Sequence, residues 1–288
     1  MSEAFPCDAV RTLIGVGRNF VGRGAGVMEK QSFITGDGCR IAYRFDGPRD
    51  APILLLSNSL GTHMGMWAPQ MEAWTRSFRV LRYDQRGHGA SDAPAGGYSI
   101  DRLGRDVVEL LDALAIDSVD FCGLSLGGMT GQWLGIREPG RLRRLVLANT
   151  SSFMGPPSGW DSRIGLVREQ GMAPLAEVSV ERWFTRDFSA AAPETIGPIA
   201  AMLQTTDAHG YAGCCAAIRD MDMRRTASLI ALPTLIIGGT KDPATPLPHS
   251  EALAQAIAGS QLIMLEAAHL SNVEKPEEFI GAVLNFIG

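Results

Sequence analysis

Six short apolar runs constrain this 288-residue chain more than anything else in it: Ile53 to Ser57, Val80 to Tyr83, Val119 to Cys122, Leu145 to Ala148, Thr234 to Ile237 and Leu262 to Leu265. Runs this short, with no polar alternation, belong to strands buried on both faces of a sheet. Helical periods lie between and after them. Ile100 to Leu114 places Leu103, Val107, Leu110, Leu111 and Leu114 on one stripe, and Glu251 to Ile257 and Glu277 to Phe286 repeat the pattern. Strands alternating with helices predict an α/β fold, with a mostly parallel central sheet and helices on both faces. Ahead of the runs, Gln31 to Thr35 and Arg40 to Phe45 alternate around Gly36-Asp37-Gly38, which predicts an antiparallel hairpin.

The alternation breaks between Thr150 and about Ala231. Trp160, Trp183, Phe184, Phe188, Met202 and Leu203 lie there among helix formers and the prolines Pro156, Pro157, Pro193 and Pro198, with no buried strand. A structureless loop of that length is improbable in a compact domain, so the stretch reads as a helical cap inserted after the sixth strand. The expected organisation is a core of residues 31–150 and 232–288, a helical cap of 151–231, and a flexible N-terminal extension of 1–30. In that extension Gly15, Gly17, Gly22, Gly24 and Gly26 interleave with Arg11, Arg18 and Arg23. Leu13, Ile14 and Val16 are interrupted too soon for a secretory signal. Gly22-x-Gly24-x-Gly26 has neither a preceding strand nor the lysine of a phosphate loop. Met28 is a second candidate start.

With 45% apolar residues and mixed charge, 26 basic against 31 acidic side chains for a net of −5, the chain can bury a core and is not of the disordered class. No apolar run approaches the roughly 18 residues of a membrane span, and no Lys/Arg stripe suggests nucleic acid as a partner. A soluble, cytoplasmic protein is expected. The five cysteines, two of them the adjacent Cys214 and Cys215, suggest no disulfide framework. The five histidines follow no ligand spacing, so no metal is expected.

Gly123-Leu124-Ser125-Leu126-Gly127 carries the chemistry. A G-x-S-x-G pentapeptide is weak evidence alone, but this one follows an apolar run and opens the helix-like stretch from Met129 to Ile136. That context predicts the strand, sharp turn and helix that expose a serine hydroxyl above a sheet. A serine needs a base, and the base needs an orienting acid. In sheet hydrolases the chain order is serine, acid, histidine, each of the last two after a late strand. Asp242 follows Thr234 to Ile237, and His269 follows Leu262 to Leu265; His209 and His249 are less well placed. The two amides of an oxyanion hole are expected from Leu126 and from Leu60, in the loop Asn58-Ser59-Leu60-Gly61. His88, in Asp84-Gln85-Arg86-Gly87-His88-Gly89-Ala90-Ser91, is read as part of turn chemistry and local hydrogen bonding. His63 is read as a surface residue near the oxyanion loop.

These segments give the chain, from about Phe33 to its C-terminus, a resemblance to the α/β-hydrolase superfamily. It is most similar to the 3-oxoadipate enol-lactonases. The likeness rests on Leu56-Ser57-Asn58-Ser59-Leu60-Gly61-Thr62, Leu81 to Ser91, Gly123 to Gly128, Gly131-Gln132-Trp133-Leu134-Gly135, Arg182-Trp183-Phe184-Thr185, Gly210-Tyr211-Ala212-Gly213 and Ala267 to Glu274. The elbow marks only the superfamily; the Asn-Ser-Leu-Gly, cap and His-Leu-Ser-Asn-Val-Glu segments mark the lactonase group, in part shared with carboxymuconolactone-related hydrolases. His63 departs from the pattern, standing where an acidic residue is expected. The resemblance implies Ser125 as nucleophile, Asp242 as acid and His269 as base, hydrolysis of a small lactone carrying a carboxylate, and no cofactor. For such a substrate Arg163 is the candidate partner of the carboxylate, against a surface arginine, and Trp133 the candidate wall of the ring, against a core tryptophan. A perhydrolase or general carboxylesterase would keep the same triad, and a ligand-sensing hydrolase-fold receptor would keep the same fold.

Overall fold

The structure, a computed structural model, describes residues 31–288; the N-terminal extension of 1–30, with its glycine run and Met28, lies outside the described residues. The strands are β1 (Gln31–Ile34), β2 (Arg40–Asp46), β3 (Ile53–Ser57), β4 (Arg79–Tyr83), β5 (Val119–Leu124), β6 (Leu142–Ala148), β7 (Thr234–Gly239) and β8 (Gln261–Leu265). They form one eight-stranded sheet in the order β1-β2-β4-β3-β5-β6-β7-β8. The β1–β2 and β2–β4 pairs are antiparallel and the others parallel. Leu54, Leu55 and Leu56, like Phe121, Leu145, Val146 and Ile237, are fully buried, as expected for strands covered on both faces.

The helices are α1 (Ala68–Trp74), α2 (Ile100–Ala113), α3 (Leu126–Arg137), α4 (Pro157–Gln170), α5 (Ala173–Trp183), α6 (Arg186–Ala191), α7 (Pro193–Gln204), α8 (Ala208–Asp220), α9 (Leu247–Ala256), α10 (Ser271–Glu274) and α11 (Pro276–Ile287). On one face α1 and α11 meet through Trp67, Trp74 and Phe279, whose ring centroids lie 6.0 to 6.3 Å apart. On the other, α2 packs on α3. The Ser99 hydroxyl caps α2 by accepting from the Arg102 amide, and the stripe Leu103, Val107, Leu110 and Leu111 is buried.

Helices α4 to α8 form the cap, inserted after β6. Its two ends are tied to each other: Phe153 pairs with Asp222 in an isolated bridge, and the Met223 amide donates to the Ser152 carbonyl at 2.8 Å. The cap reaches the carboxyl ends of the strands, where Leu203 and Tyr211 abut Gly61 and Gly210 abuts Gly87.

The chain leaves β3 toward β4 on one side and returns to place β5 on the other. This reversal of strand order opens a crevice beyond the carboxyl ends of β3 and β5, where α/β sheets hold their ligands. The Ser57–Gly123 register sets the loop after β3 level with the turn after β5.

Trp133 corrects an expectation. It does not wall the cavity at Ser125; its ring lies against Gly104 of α2, and its indole N–H donates to Asp101 at 3.2 Å. At about 100° per helical residue, eight residues carry Trp133 about 80° around α3 from Ser125, whereas four carry Met129 only about 40°. Met129 is the one that lines the cavity. Trp133→Ala should therefore cost about 3–5 kcal/mol in a urea unfolding titration, the usual range for losing a buried Trp. It should leave KM for an ester substrate within about twofold; a selective rise in KM without loss of stability would return Trp133 to the substrate site.

Candidate active site

Ser125 sits between β5 and α3 with φ 56° and ψ −114°, in a region that side-chain-bearing residues avoid. Such strain, of order 1–3 kcal/mol, persists only where the surroundings overdetermine it. Here the Ser125 amide donates to the Ala148 carbonyl at 2.9 Å, and its carbonyl accepts from the Met129 amide at 2.9 Å and the Thr150 hydroxyl at 2.7 Å. The flanking glycines are steric necessities. A Cβ on Gly123 would lie 2.2 Å from the Gly127 carbonyl oxygen, and one on Gly127 would lie 2.1 Å from that of Ser57. Ser125 caps α3, whose amide end favours negative charge.

Asp242 and His269 arrive on the loops after β7 and β8. His269 Nδ1 lies 2.9 Å from Asp242 Oδ2. Asp242 is 4% exposed, and each of its oxygens is held. Oδ1 accepts from the Ala244 amide at 2.8 Å and the Thr245 amide at 3.0 Å; Oδ2 accepts from the Thr245 hydroxyl at 2.6 Å and from Asn149 Nδ2 at 3.0 Å. Burial alone would raise its pKa, but His269, Thr245 and Asn149 together hold the carboxyl below its ordinary 3.8. Asp242 therefore stays ionised and fixes the His269 ring through Nδ1, which leaves Nε2 as the other ring nitrogen.

Ser125 and His269 line one cavity of about 140 Å³, together with Ser59, Leu60, Met129, Met154, Trp160, Arg163, Ser179, Arg182, Trp183 and Tyr211 among others. The Ser125 hydroxyl has no hydrogen-bond partner among the described residues. The amides of Leu60 and Leu126 likewise donate to no acceptor among them. The Gly127 amide donates to the Asn58 carbonyl at 3.0 Å, which ties the start of α3 to the Leu60 loop. A larger hollow of about 900 Å³ lies among α5, α6 and α7 around Ala176, Phe184 and Ile196, but contains none of these groups. Among the described residues, no group of three or more His, Cys, Asp or Glu side chains could hold a metal ion, and no helix is long and apolar enough to cross a membrane.

The sequence pattern of the α/β hydrolase fold matches residues 52–276. The chain belongs to the α/β-hydrolase family. Within this α/β hydrolase's kin, 3-oxoadipate enol-lactonase 2 of Acinetobacter baylyi is 43% identical over 250 residues, 87% of this chain and 94% of the relative. The crystal structure of the enol-lactonase from Burkholderia xenovorans superimposes with a TM-score of 0.87 at 43% identity, covering 89% of this chain and 99% of that one. A hydrolase from Pseudomonas aeruginosa does so with a TM-score of 0.89 at 48% identity, covering 92% and 100%.

Arg163, read as a candidate partner of a carboxylate or a surface arginine, lines the cavity, with its guanidinium 5.1 Å from the Trp160 ring centroid and Nη1 3.5 Å from the Tyr211 hydroxyl. A second cation, Arg182, lines the same cavity; in the sequence it carries no signal beyond its place in Arg182-Trp183-Phe184-Thr185. Neither arginine pairs with a carboxylate among the described residues. Three further residues carry no role in the sequence pattern. Asn149, at φ 42°, bridges Asp242 to the Ala268 carbonyl. Thr245 braces Asp242 from three residues away. Glu274 accepts from the Ala268 amide at 2.9 Å and from the Thr185 hydroxyl, joining the His269 loop to the cap. Thr245 has a local signal, its spacing after Asp242; Asn149 has none, since its partner lies far along the chain.

The folded pKa of Asp242 lies below its ordinary value, so its ionised form stabilises the fold above that value and the contribution fades as pH falls through the folded pKa. Asn149→Ala removes one of the donors that hold the pKa down. Its acid unfolding midpoint, followed by circular dichroism, should move to higher pH than that of the wild type; an unmoved midpoint would show that Asn149 does not support the charge.

Proposed function

We propose that this protein hydrolyses 3-oxoadipate enol-lactone to 3-oxoadipate, in the breakdown of aromatic compounds, through an acyl-enzyme on Ser125. The observation that carries the reading is one small cavity lined by a strained serine, by the histidine of a buried His–Asp pair and by two arginines, Arg163 and Arg182, that pair with no carboxylate among the described residues. The enol-lactonase relatives, at 43% identity over most of both chains, supply the substrate. Drug-sized ligands occupy roughly 300–1,000 Å³. A cavity of about 140 Å³ suits a single small ring with a short acid arm. In this reading residues 31–150 and 232–288 form the catalytic core and 151–231 the cap.

Ser125 Oγ attacks the lactone carbonyl as its proton passes to His269 Nε2, while Asp242 stabilises the imidazolium. The oxyanion accepts from the amides of Leu60 and Leu126, each donor worth on the order of 3 kcal/mol. Collapse of the tetrahedral intermediate breaks the bond to the ring oxygen, which leaves as an enolate and takes the proton from His269 as an enol; the enol then tautomerises to the ketone by moving that proton from oxygen to carbon. A water that gives its proton to His269 then attacks the acyl group, and Ser125 recovers its proton as the acid departs. Every group in the cycle belongs to the chain or to water, so the reaction calls for no cofactor and no nucleic-acid or membrane partner. Arg163 and Arg182 meet the substrate's free carboxylate, which a buried site has to pair. We place the reaction in the cytoplasm, which suits the free, buried thiols of Cys39, Cys122, Cys214 and Cys215.

Ser125→Ala should lower kcat by about 10³-fold or more. The wild type should prefer the enol-lactone to simple aryl esters by orders of magnitude in kcat/KM; the reverse preference would identify a general esterase and sink the assignment. Arg163→Ala and Arg182→Ala should each raise KM for the acidic lactone by about tenfold, the cost of one charge-assisted contact. Hydrolysis of an uncharged ester should be spared. Equal effects on both substrates would remove the arginines from carboxylate recognition.

A further inference from the structure

Four consecutive amides in the loop after β3 have unequal fates. The Ser59 N–H donates to Met66 Sδ at 3.3 Å, the Gly61 N–H to His88 Nε2 at 2.9 Å, and the Thr62 N–H to the Ser59 carbonyl at 3.2 Å. Only the Leu60 N–H, between them, has no acceptor among the described residues. The Ser59 carbonyl also lies 2.8 Å from the Thr62 hydroxyl, so the Ser59–Leu60 peptide is held from its carbonyl side; because that peptide is trans, the Leu60 N–H points the opposite way, and its aim depends also on how the following peptide is held. The next peptide, Leu60–Gly61, donates its N–H to the imidazole.

His88 is suited to that task. It is 1% exposed and does not line the cavity, so it reaches no substrate. Its Nδ1 lies 3.2 Å from the Arg86 carbonyl oxygen, which can only accept. Nδ1 therefore carries the hydrogen, and Nε2 presents a lone pair to the Gly61 amide. We propose that His88 is a positioning residue, a buried neutral imidazole that aims the Leu60 amide at the oxyanion by holding the Gly61 amide. The neighbouring charged and titratable groups are Asp84, which is occupied by the Met64 and Ala90 amides at 2.8 and 2.9 Å, and His63 and Asp207. Burial pushes the His88 pKa down to about 4, so the ring remains an acceptor at neutral pH.

This inference rests on the acyl-enzyme reading, and the test separates the two. Adduct formation on wild-type Ser125 by an aryl trifluoromethyl ketone, a mimic of the tetrahedral intermediate, tests the reading itself. His88→Leu should then lower kcat on an aryl acetate by about 10- to 100-fold with KM within about threefold, and weaken the ketone by the same factor, because the loss is confined to the transition state. His88→Gln, whose amide oxygen restores an acceptor near Nε2, should recover most of both. An unchanged kcat and ketone affinity in His88→Leu, a matching rise in KM, or a Gln variant no better than Leu would overturn the proposal. Should His88→Leu fail to fold, nitrogen NMR of the wild type decides. A protonated Nδ1 with a scalar coupling between the Gly61 nitrogen and His88 Nε2 supports the arrangement, and an Nε2-protonated ring rejects it.

Discussion

The close approach of α3 to the end of β3 is the constraint on which the rest depends. Gly127 lies so near Ser57 that no side chain fits between them, and its amide donates to the Asn58 carbonyl. One contact thus seats the serine elbow and ties it to the loop that carries Leu60. The parallel register of β3 and β5 sets the height at which they meet, and the reversal of strand order there leaves room for a ligand above. The positive φ of Ser125 is a local cost that the sheet covers, because its amide and carbonyl are claimed by β6 and the segment after it.

The buried polar network answers a different problem. An ionised carboxylate taken out of water is costly unless its lone pairs are filled. Asp242 receives the His269 ring, two backbone amides, the Thr245 hydroxyl and the Asn149 amide. Asn149 then reaches the Ala268 carbonyl, and Glu274 takes the Ala268 amide while holding Thr185 of the cap. The loop that presents His269 is therefore clamped through the two peptides that flank Ala268, and the cap shares that clamp. The Leu270 amide adds a second tie, donating to the Trp183 carbonyl at 3.0 Å. Cap and core are thus linked next to His269, where a shift would be felt by the chemistry proposed for it.

Much of the fold was legible along the chain because its signals are local. Each buried strand is a short apolar run, the hairpin turns on Gly36-Asp37-Gly38, and the missing strands between 150 and 231 announced the helical cap. Ser125, Asp242 and His269 stood out because each follows a strand. What escaped depends on direction or distance. Trp133 and Met129 share a helix, and only the phase around its axis separates a residue on α2 from one in the cavity. Asn149 and Asp242 are 93 positions apart, Gly61 and His88 27. The turn around His88 accounts for its contact with Arg86, which is local, but the second nitrogen serves another loop.

Sequence alone determined the alternation of strands and helices, the glycine-flanked serine and the chain order of serine, acid and histidine, because these are properties of neighbouring residues. Tertiary structure decided which cations face the cavity, which amides are left undonated and which polar groups brace the acid. Those outcomes depend on where side chains remote in sequence point once the sheet has closed its register and the cap has docked, and local patterning carries no information about that.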